Sequence, residues 1–459
     1  MLMCAGAHGQ ATFAMTITRR NFAQFAAALA FARGAGAATV SDPDVVIVGA
    51  GAAGIAAAQT LIAGGRRVQL IEASPRIGGR CFTDTATFGM PFDRGAAWVK
   101  GGDGNPLTGF ARLYQFQLGD RDARELTFAR GTTRPLASNT AYERALVAIS
   151  DGIATAAEEQ DDMAAADATP LLLDDDIRAW AATASAAVGP LDMGVDLRTL
   201  STKDWFQRDE DETRRMVRQG LGTLVARIGL GLPVAVNTVA RRLVASSNGV
   251  AVETDRGTIL TRAAIVTASV GVLAREVIAF DPKPDAAMMG AFNGLQMGLV
   301  AKIALHFAAD APALKFPQDS ILIPQVNDER GHVFHVRPFG APLAVCQVGG
   351  SLAWELSTQP ERTVIDFARE RLRALLGSNG DTGLRNATVT DWGRNPFSRG
   401  AFAAALPGQW KARAALEAPI GGRIYFAGEA QGGKAVQTVH GAYASGQRAA
   451  RRILKLLKA

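Results

Sequence analysis

Cysteine is scarce, with three in 459 residues: Cys4, Cys81 and Cys346. Three thiols build no disulfide framework, and no CxxC pair or Cys/His cluster suggests zinc. No apolar run reaches the roughly 18 residues that a bilayer span needs. Charge of one sign is also lacking. Lys plus Arg number 49 and Asp plus Glu 43, a net charge of +6, with no block of five basic residues. That thin excess argues against nucleic acid as a partner. Tyrosine is rare, at four residues, which matters for the site below. Bulk disorder is excluded by 48% hydrophobic and 20% charged residues. What is abundant is glycine, 49 residues, so the backbone makes many close approaches or sharp turns. At ~150 residues per domain the length suits a two- or three-domain chain.

Residues 1–40 read as an export segment. Thr18-Arg19-Arg20-Asn21-Phe22 precedes the moderately apolar Ala23–Phe31, and Ala35-Gly36-Ala37 offers an A-x-A-like site. Paired arginines, an apolar stretch and small residues in that order form the pattern of a twin-arginine signal. Such signals carry folded proteins, which suits an enzyme loaded with cofactor in the cytoplasm. The expected mature chain begins near Ala38, with a periplasmic or secreted location; a non-functional signal would leave the protein cytoplasmic.

Asp44–Val48 is a continuous β-branched run, as in a strand buried on both faces of a parallel sheet. It leads into Gly49-Ala50-Gly51-Ala52-Ala53-Gly54 and then the helical Ile55–Leu61. Gly49 permits the tight turn, Gly51 lets backbone approach a pyrophosphate, and Gly54 lets helix and strand pack closely. The helix N-terminus offers N–H groups to the phosphates. Arg67–Ile71 reads as the second strand, and Glu72 at its end stands where an acid takes the adenosine ribose hydroxyls. Directly after it, Ala73-Ser74-Pro75-Arg76-Ile77-Gly78-Gly79-Arg80 supplies a second glycine pair and a cation. That arrangement suits a longer, flavin-bearing dinucleotide rather than NAD.

These segments resemble the flavin-dependent amine oxidases: monoamine and polyamine oxidases, L-amino acid oxidases and lysine-specific histone demethylases. Glu72 to Arg80 is similar to the family's E-x-x-x-R-x-GGR motif. Arg94–Gly101 resembles the "LGANWVEG" of polyamine oxidases, with Gly104-Asn105-Pro106 continuing it. Asn237–Leu243 resembles the segment whose valine backbone holds adenine, and Ala264–Leu273 the return strand of the flavin domain. Trp392–Gly400 resembles "W-x-x-x-P-[FW]-S-R-G", while Ile424–Glu429 and Thr438–Ala442 resemble the two segments that close the flavin site.

The resemblance implies an α/β fold with an α+β substrate part: a Rossmann-like FAD-binding domain (41–115, 205–285 and 390–459) interleaved with a smaller substrate domain of mixed sheet and helices (116–204 and 286–389). From the residues themselves, 141–187 reads as alanine-rich helices, and Asp204–Gln219 as a charged helix. Gly298–Phe307, Phe334–Pro338 and Leu343–Val348 read as strands, and Glu361–Leu376 as an amphipathic helix.

By resemblance, non-covalent FAD is held by Gly49, Gly51, Ala53, Gly54, Glu72, Ala73, Arg76, Gly78, Gly79, Arg80, Ala97, Trp98, Val239, Trp392, Gly428, Glu429, Thr438 and Val439. Ala401 and Phe402 follow Ser398-Arg399-Gly400 with no cysteine for a covalent link. Lys302, costly to bury on an apolar strand unless partnered, is the lysine that the resemblance places at flavin N5 through a water. His440 is expected as a packed residue rather than a base. Lys100, Val300, Phe402 and Thr438 line the expected substrate pocket. The implied reaction is hydride loss from an amine's α-carbon, imine hydrolysis, and reoxidation by oxygen to peroxide or by a periplasmic cytochrome. The readings left beside it are a flavin dehydrogenase or desaturase, an L-amino acid oxidase, and a non-catalytic flavin-binding partner. A small-molecule amine is the expected substrate and a homodimer the expected assembly. Phe402 and Thr438 stand where monoamine oxidases place two tyrosines, and Lys100 where polyamine oxidases place an acid. Spermine and spermidine are therefore expected to be poor substrates, and an amine with a neutral or anionic tail a better one.

Overall fold

The computed structural model describes residues 40–119, 124–170, 174–208 and 213–458. The export segment, Val40 apart, lies outside the described residues.

A five-stranded parallel sheet organises one half. Its order is Ile424–Phe426, Ala263–Val266, Val45–Val48, Val68–Ile71 and Val234–Ala235. The β-branched Val45–Val48 strand lies at its centre with every residue buried, as a strand covered on both faces requires. From that strand the chain passes first to Val68–Ile71 on one side and later to Ala263–Val266 on the other. The order therefore reverses beside Val48, and a crevice opens at the carboxyl ends of these strands.

Two helices cover one face. Ala52–Ala63 is rich in alanine, and Val439–Leu456 buries Gly441, Tyr443, Ser445, Gly446, Ala449 and Ala450. They meet at bare backbone: a Cβ on Gly446 would stand 2.0 Å from the Ala53 carbonyl oxygen. The Tyr443 hydroxyl donates to Gln59 Oε1 at 2.8 Å across the same contact.

The other half is a six-stranded sheet, ordered Leu384–Val389, Val300–Phe307, Leu343–Gly349, His332–Val336, Ser320–Pro324 and Arg124–Phe128. The neighbours are antiparallel except the last pair, which is parallel. Glu361–Leu376 forms the amphipathic helix its spacing predicts, burying Val364, Ala368, Leu372 and Leu375 with Ile303, Leu305 and Phe334. Thr140–Glu159 opens the alanine-rich helical part. A two-stranded ribbon, Leu295–Gly298 with Phe402–Ala405, lies beside the cavity described below.

The expected Asp204–Gln219 helix does not form. Thr202–Phe206 makes a single turn capped by Ser201 Oγ, which accepts from the Asp204 N–H at 2.9 Å. Arg214–Met216 is instead a strand antiparallel to Trp98–Lys100. A run of charges carries no apolar stripe to seat a helix. The structure also buries Asp204 fully in a two-pronged pair with Arg413, at 2.7 and 2.8 Å.

Candidate active site

A cavity of about 630 Å³ occupies the crevice, a size suited to a cofactor or small molecule. Its wall collects the carboxyl ends of four parallel strands: Gly49, Glu72, Thr267 and Gly428 all line it. Gly49 has φ +103°, open only to glycine at no cost, and a Cβ there would lie 2.3 Å from Thr267 Oγ1. Gly78 bridges Gly51, and a Cβ on Gly79 would stand 3.2 Å from Gly51 Cα. The two glycine segments thus present backbone, not side chains, to the cavity. The helix from Ala52 begins at Gly51, which has no side chain to satisfy its first N–H groups. This is a cradle for an anionic, pyrophosphate-like group.

Glu72 is fixed rather than free: Oε2 accepts from the Ala50 N–H at 2.8 Å, and Oε1 from the Ser74 N–H and Oγ at 2.9 and 2.7 Å. Oε2, with a single donor, keeps a second acceptor site that a ribose hydroxyl can use. Glu429 has its charge offset by Arg80 Nη1 at 3.0 Å and by the Ala403 N–H at 3.2 Å. A carboxylate so neutralised is tolerable beside phosphate. The helix Val439–Leu456 starts at the cavity, capped by Thr438 Oγ1 accepting from the Gly441 N–H at 3.0 Å. Its positive end suits negative charge on a ring placed before it. These donors fit FAD.

Lys302 faces the same cavity from the Val300–Phe307 strand. Its Nζ donates to the Asp93 carbonyl at 2.8 Å and the Gly95 carbonyl at 2.6 Å. Burial pulls its pKa down to about 8, partly opposed by the charge of Asp93. A neutral amine has two N–H donors, both matched here, and one lone pair left over. Trp392 Nε1 donates to the Arg94 carbonyl at 2.8 Å, which holds the backbone just before Gly95.

The structure brings almost all the sequence-marked residues to one cavity. Gly51, Ala53, Ala73, Arg76, Gly78, Gly79, Arg80, Ala97, Trp98, Val239, Trp392, Gly428, Thr438 and Val439 line it, as do Lys100, Val300 and Phe402. Gly54 does not: it packs under the turn, where a Cβ would lie 1.9 Å from the Gly49 carbonyl oxygen. In this structure it makes the close helix–strand contact and is not part of the cavity lining. His440 is absent from the lining as well. Sequence reading missed Leu191, Asp192, Arg214 and Gln347, which complete the wall near Lys302 and Lys100. They fall in no motif, and only the tertiary fold assembles them.

Fold and site together define a dinucleotide-dependent oxidoreductase. Residues 52–454 match the family described as flavin containing amine oxidoreductase. Polyamine oxidase 4 of Oryza sativa subsp. japonica is 27% identical over 441 residues, covering 89% of this chain and 88% of that protein. Lysine-specific histone demethylase 1 homolog 1 of the same plant is 28% identical over 461 residues, covering 91% of this chain but 53% of that protein. Wild-type putrescine oxidase bound to putrescine shares the fold, with a TM-score of 0.75 at 19% identity over 90% of this chain and 99% of that one. The chain belongs to the flavin-containing amine oxidoreductases: it is an FAD-dependent amine oxidase.

Proposed function

We propose that the protein oxidises an amine at the carbon bearing nitrogen, with oxygen as the electron acceptor and hydrogen peroxide as product. When bound, FAD would supply the two-electron acceptor for hydride from that carbon; the imine so formed would be hydrolysed by water to a carbonyl compound and an amine or ammonia. The observation that carries this reading is Lys302, clamped by the Asp93 and Gly95 carbonyls and facing the cavity that the glycine segments build.

The chain's own residues have separable tasks. The Gly49–Gly54 and Gly78–Arg80 segments and Glu72 anchor the dinucleotide end. Arg80 and Glu429 neutralise one another beside it. Lys302 holds a water at the one position its carbonyl clamp leaves, as donor when protonated and as acceptor when neutral. Phe402 and Val300 present apolar surface, which excludes bulk water and favours the neutral form of an amine. Cys81 lines the cavity, but burial pushes its thiol up to about 12, so no thiolate is at hand and FAD is held without a covalent bond.

A peroxide assay over an amine panel, paired with anaerobic bleaching of the flavin, tests the activity. Bleaching without peroxide in air would assign the electrons to another acceptor such as a cytochrome. No bleaching by any amine would end the reading. The order of Arg19-Arg20, apolar stretch and Ala35-Gly36-Ala37 supports export of the loaded enzyme. N-terminal sequencing of the exported protein should give a start near Ala38, and a start at Met1 or Met15 excludes it.

A further inference from the structure

Beyond Lys302 the cavity wall carries positive charge that amine oxidation by itself does not require. Lys100 and Trp98 lie two residues apart on one strand, and both line the cavity. Lys100 Nζ stands 3.4 Å from Asp192 Oδ1, and Arg214 Nη2 stands 3.4 Å from the same oxygen. Arg208 Nη1 takes the other oxygen at 2.8 Å. Three cations share one carboxylate, and among the described residues none of the three has a second carboxylate in salt-bridge range. Two of the three contacts are long, so Lys100 and Arg214 keep donors for another acceptor.

The cluster lies close to the chemistry. Gln347 pairs with Lys302 across the strand ladder, and its Nε2 donates to the Leu191 carbonyl at 3.3 Å. Leu191 precedes Asp192. Lys100, Arg214 and Lys302 line one cavity, so a single small molecule can present a group to the cluster and an amine to Lys302. Burial lowers the pKa of Lys100 from its usual value, while Asp192 holds it up against Arg214 and Arg208. An added anion would relieve that crowding, and a second ammonium would worsen it.

We propose that Lys100 and Arg214, backed by Arg208, bind a carboxylate on the tail of the amine substrate, so that the enzyme acts on amino-carboxylates in preference to diamines. This rests on the amine oxidation proposed above. The sequence sets Asp209, Glu210, Asp211 and Glu212 between Arg208 and Arg214, outside the described residues. The experiment therefore reads the sign of the field from the substrate.

The holoenzyme is assayed with straight-chain amino-carboxylates having one to five carbons between the groups, and with monoamines and diamines of matched length. Flavin bleaching and peroxide are both followed. The best amino-carboxylate should exceed its matched monoamine in kcat/KM by tenfold or more, with the diamine lowest. Lys100→Met and Arg214→Met should each cut that ratio severalfold with the bound-flavin spectrum retained. Asp192→Asn should raise it, because the competing carboxylate is gone; a purely structural role for Asp192 gives no such gain. Turnover of monoamines or diamines with no carboxylate advantage overturns this proposal and leaves amine oxidation standing. Failure of every amine to bleach the flavin overturns both.

Discussion

At the scale of single residues, the chemistry concentrates on Lys302. Loss of hydride leaves positive charge on the substrate, so a protonated lysine in the same cavity opposes it. Its pKa of about 8 sets the sign: the neutral form gains as pH rises through 8. In the wild type, kcat should rise across that value, and the limb should vanish in Lys302→Met. That variant should keep its flavin and reduce it roughly 10²-fold more slowly. Stopped-flow of both half-reactions checks it, and unchanged rates in both deny Lys302 its part. This residue was legible in sequence because a lysine amid Val300, Ala301, Ile303 and Ala304 needs a reason. Its partners were not legible, since they are backbone carbonyls of Asp93 and Gly95, more than 200 residues away. The thiols allow a second residue-scale expectation. Cys81 and Cys346 are both buried with raised pKa, so acid precipitation should leave FAD in the supernatant. Flavin sedimenting with the protein would mean a covalent bond.

At the scale of elements, local pattern and tertiary demand divide the molecule. Val45–Val48, Val68–Ile71 and Glu361–Leu376 were readable because burial on two faces, or on one stripe, is written into neighbouring residues. The Asp204–Gln219 stretch was not, because its outcome depends on Arg413, 209 residues from Asp204. That pair ties four elements together: Thr202–Phe206, Phe402–Ala405, Ala412–Ala415 and Glu429–Gln431. Asp204 also accepts from the Ala405 N–H at 2.8 Å, and Arg413 also donates to the Ala403 and Ala430 carbonyls at 2.9 and 3.0 Å. Removing one partner leaves a buried charge alone, which costs about 3–5 kcal/mol. Arg413→Leu should show that loss in denaturant unfolding, with weaker FAD retention because Ala403 and Ala430 flank Glu429. The double variant Asp204→Leu/Arg413→Leu should recover part of it. If the single variant unfolds like the wild type, the pair is not what joins these elements.

At the scale of the whole molecule, the site is legible in proportion to how much of it lies in contiguous motifs. The cofactor end comes from Gly49–Gly54, Glu72–Arg80 and Phe426–Glu429, each short and patterned. On the opposite wall only Lys100 lies in such a motif; Asp192, Arg214 and Gln347 are single residues from separate segments, and only the tertiary fold brings them together. Stability against pH is a property of the same scale, because it sums groups far from the site. His332 is buried between the Phe334 and Phe367 rings, and burial, with Arg371 nearby, lowers its pKa from 6.5 to about 3. The folded state therefore holds it neutral, while the unfolded chain binds a proton below 6.5. Its contribution is complete above pH 6.5 and is lost as pH falls toward 3. Between pH 6.5 and 5 that loss amounts to about 2 kcal/mol. The buried thiols act at the other end. Their raised pKa keeps protons in the folded state, so stability falls as pH climbs from 9. Maximum stability is thus expected between about pH 6.5 and 9. His332→Phe replaces the imidazole with an uncharged ring beside two others, and should flatten the decline between pH 7 and 5 in urea titrations with excess FAD. A wild-type slope in that variant would place the acid-sensitive group elsewhere.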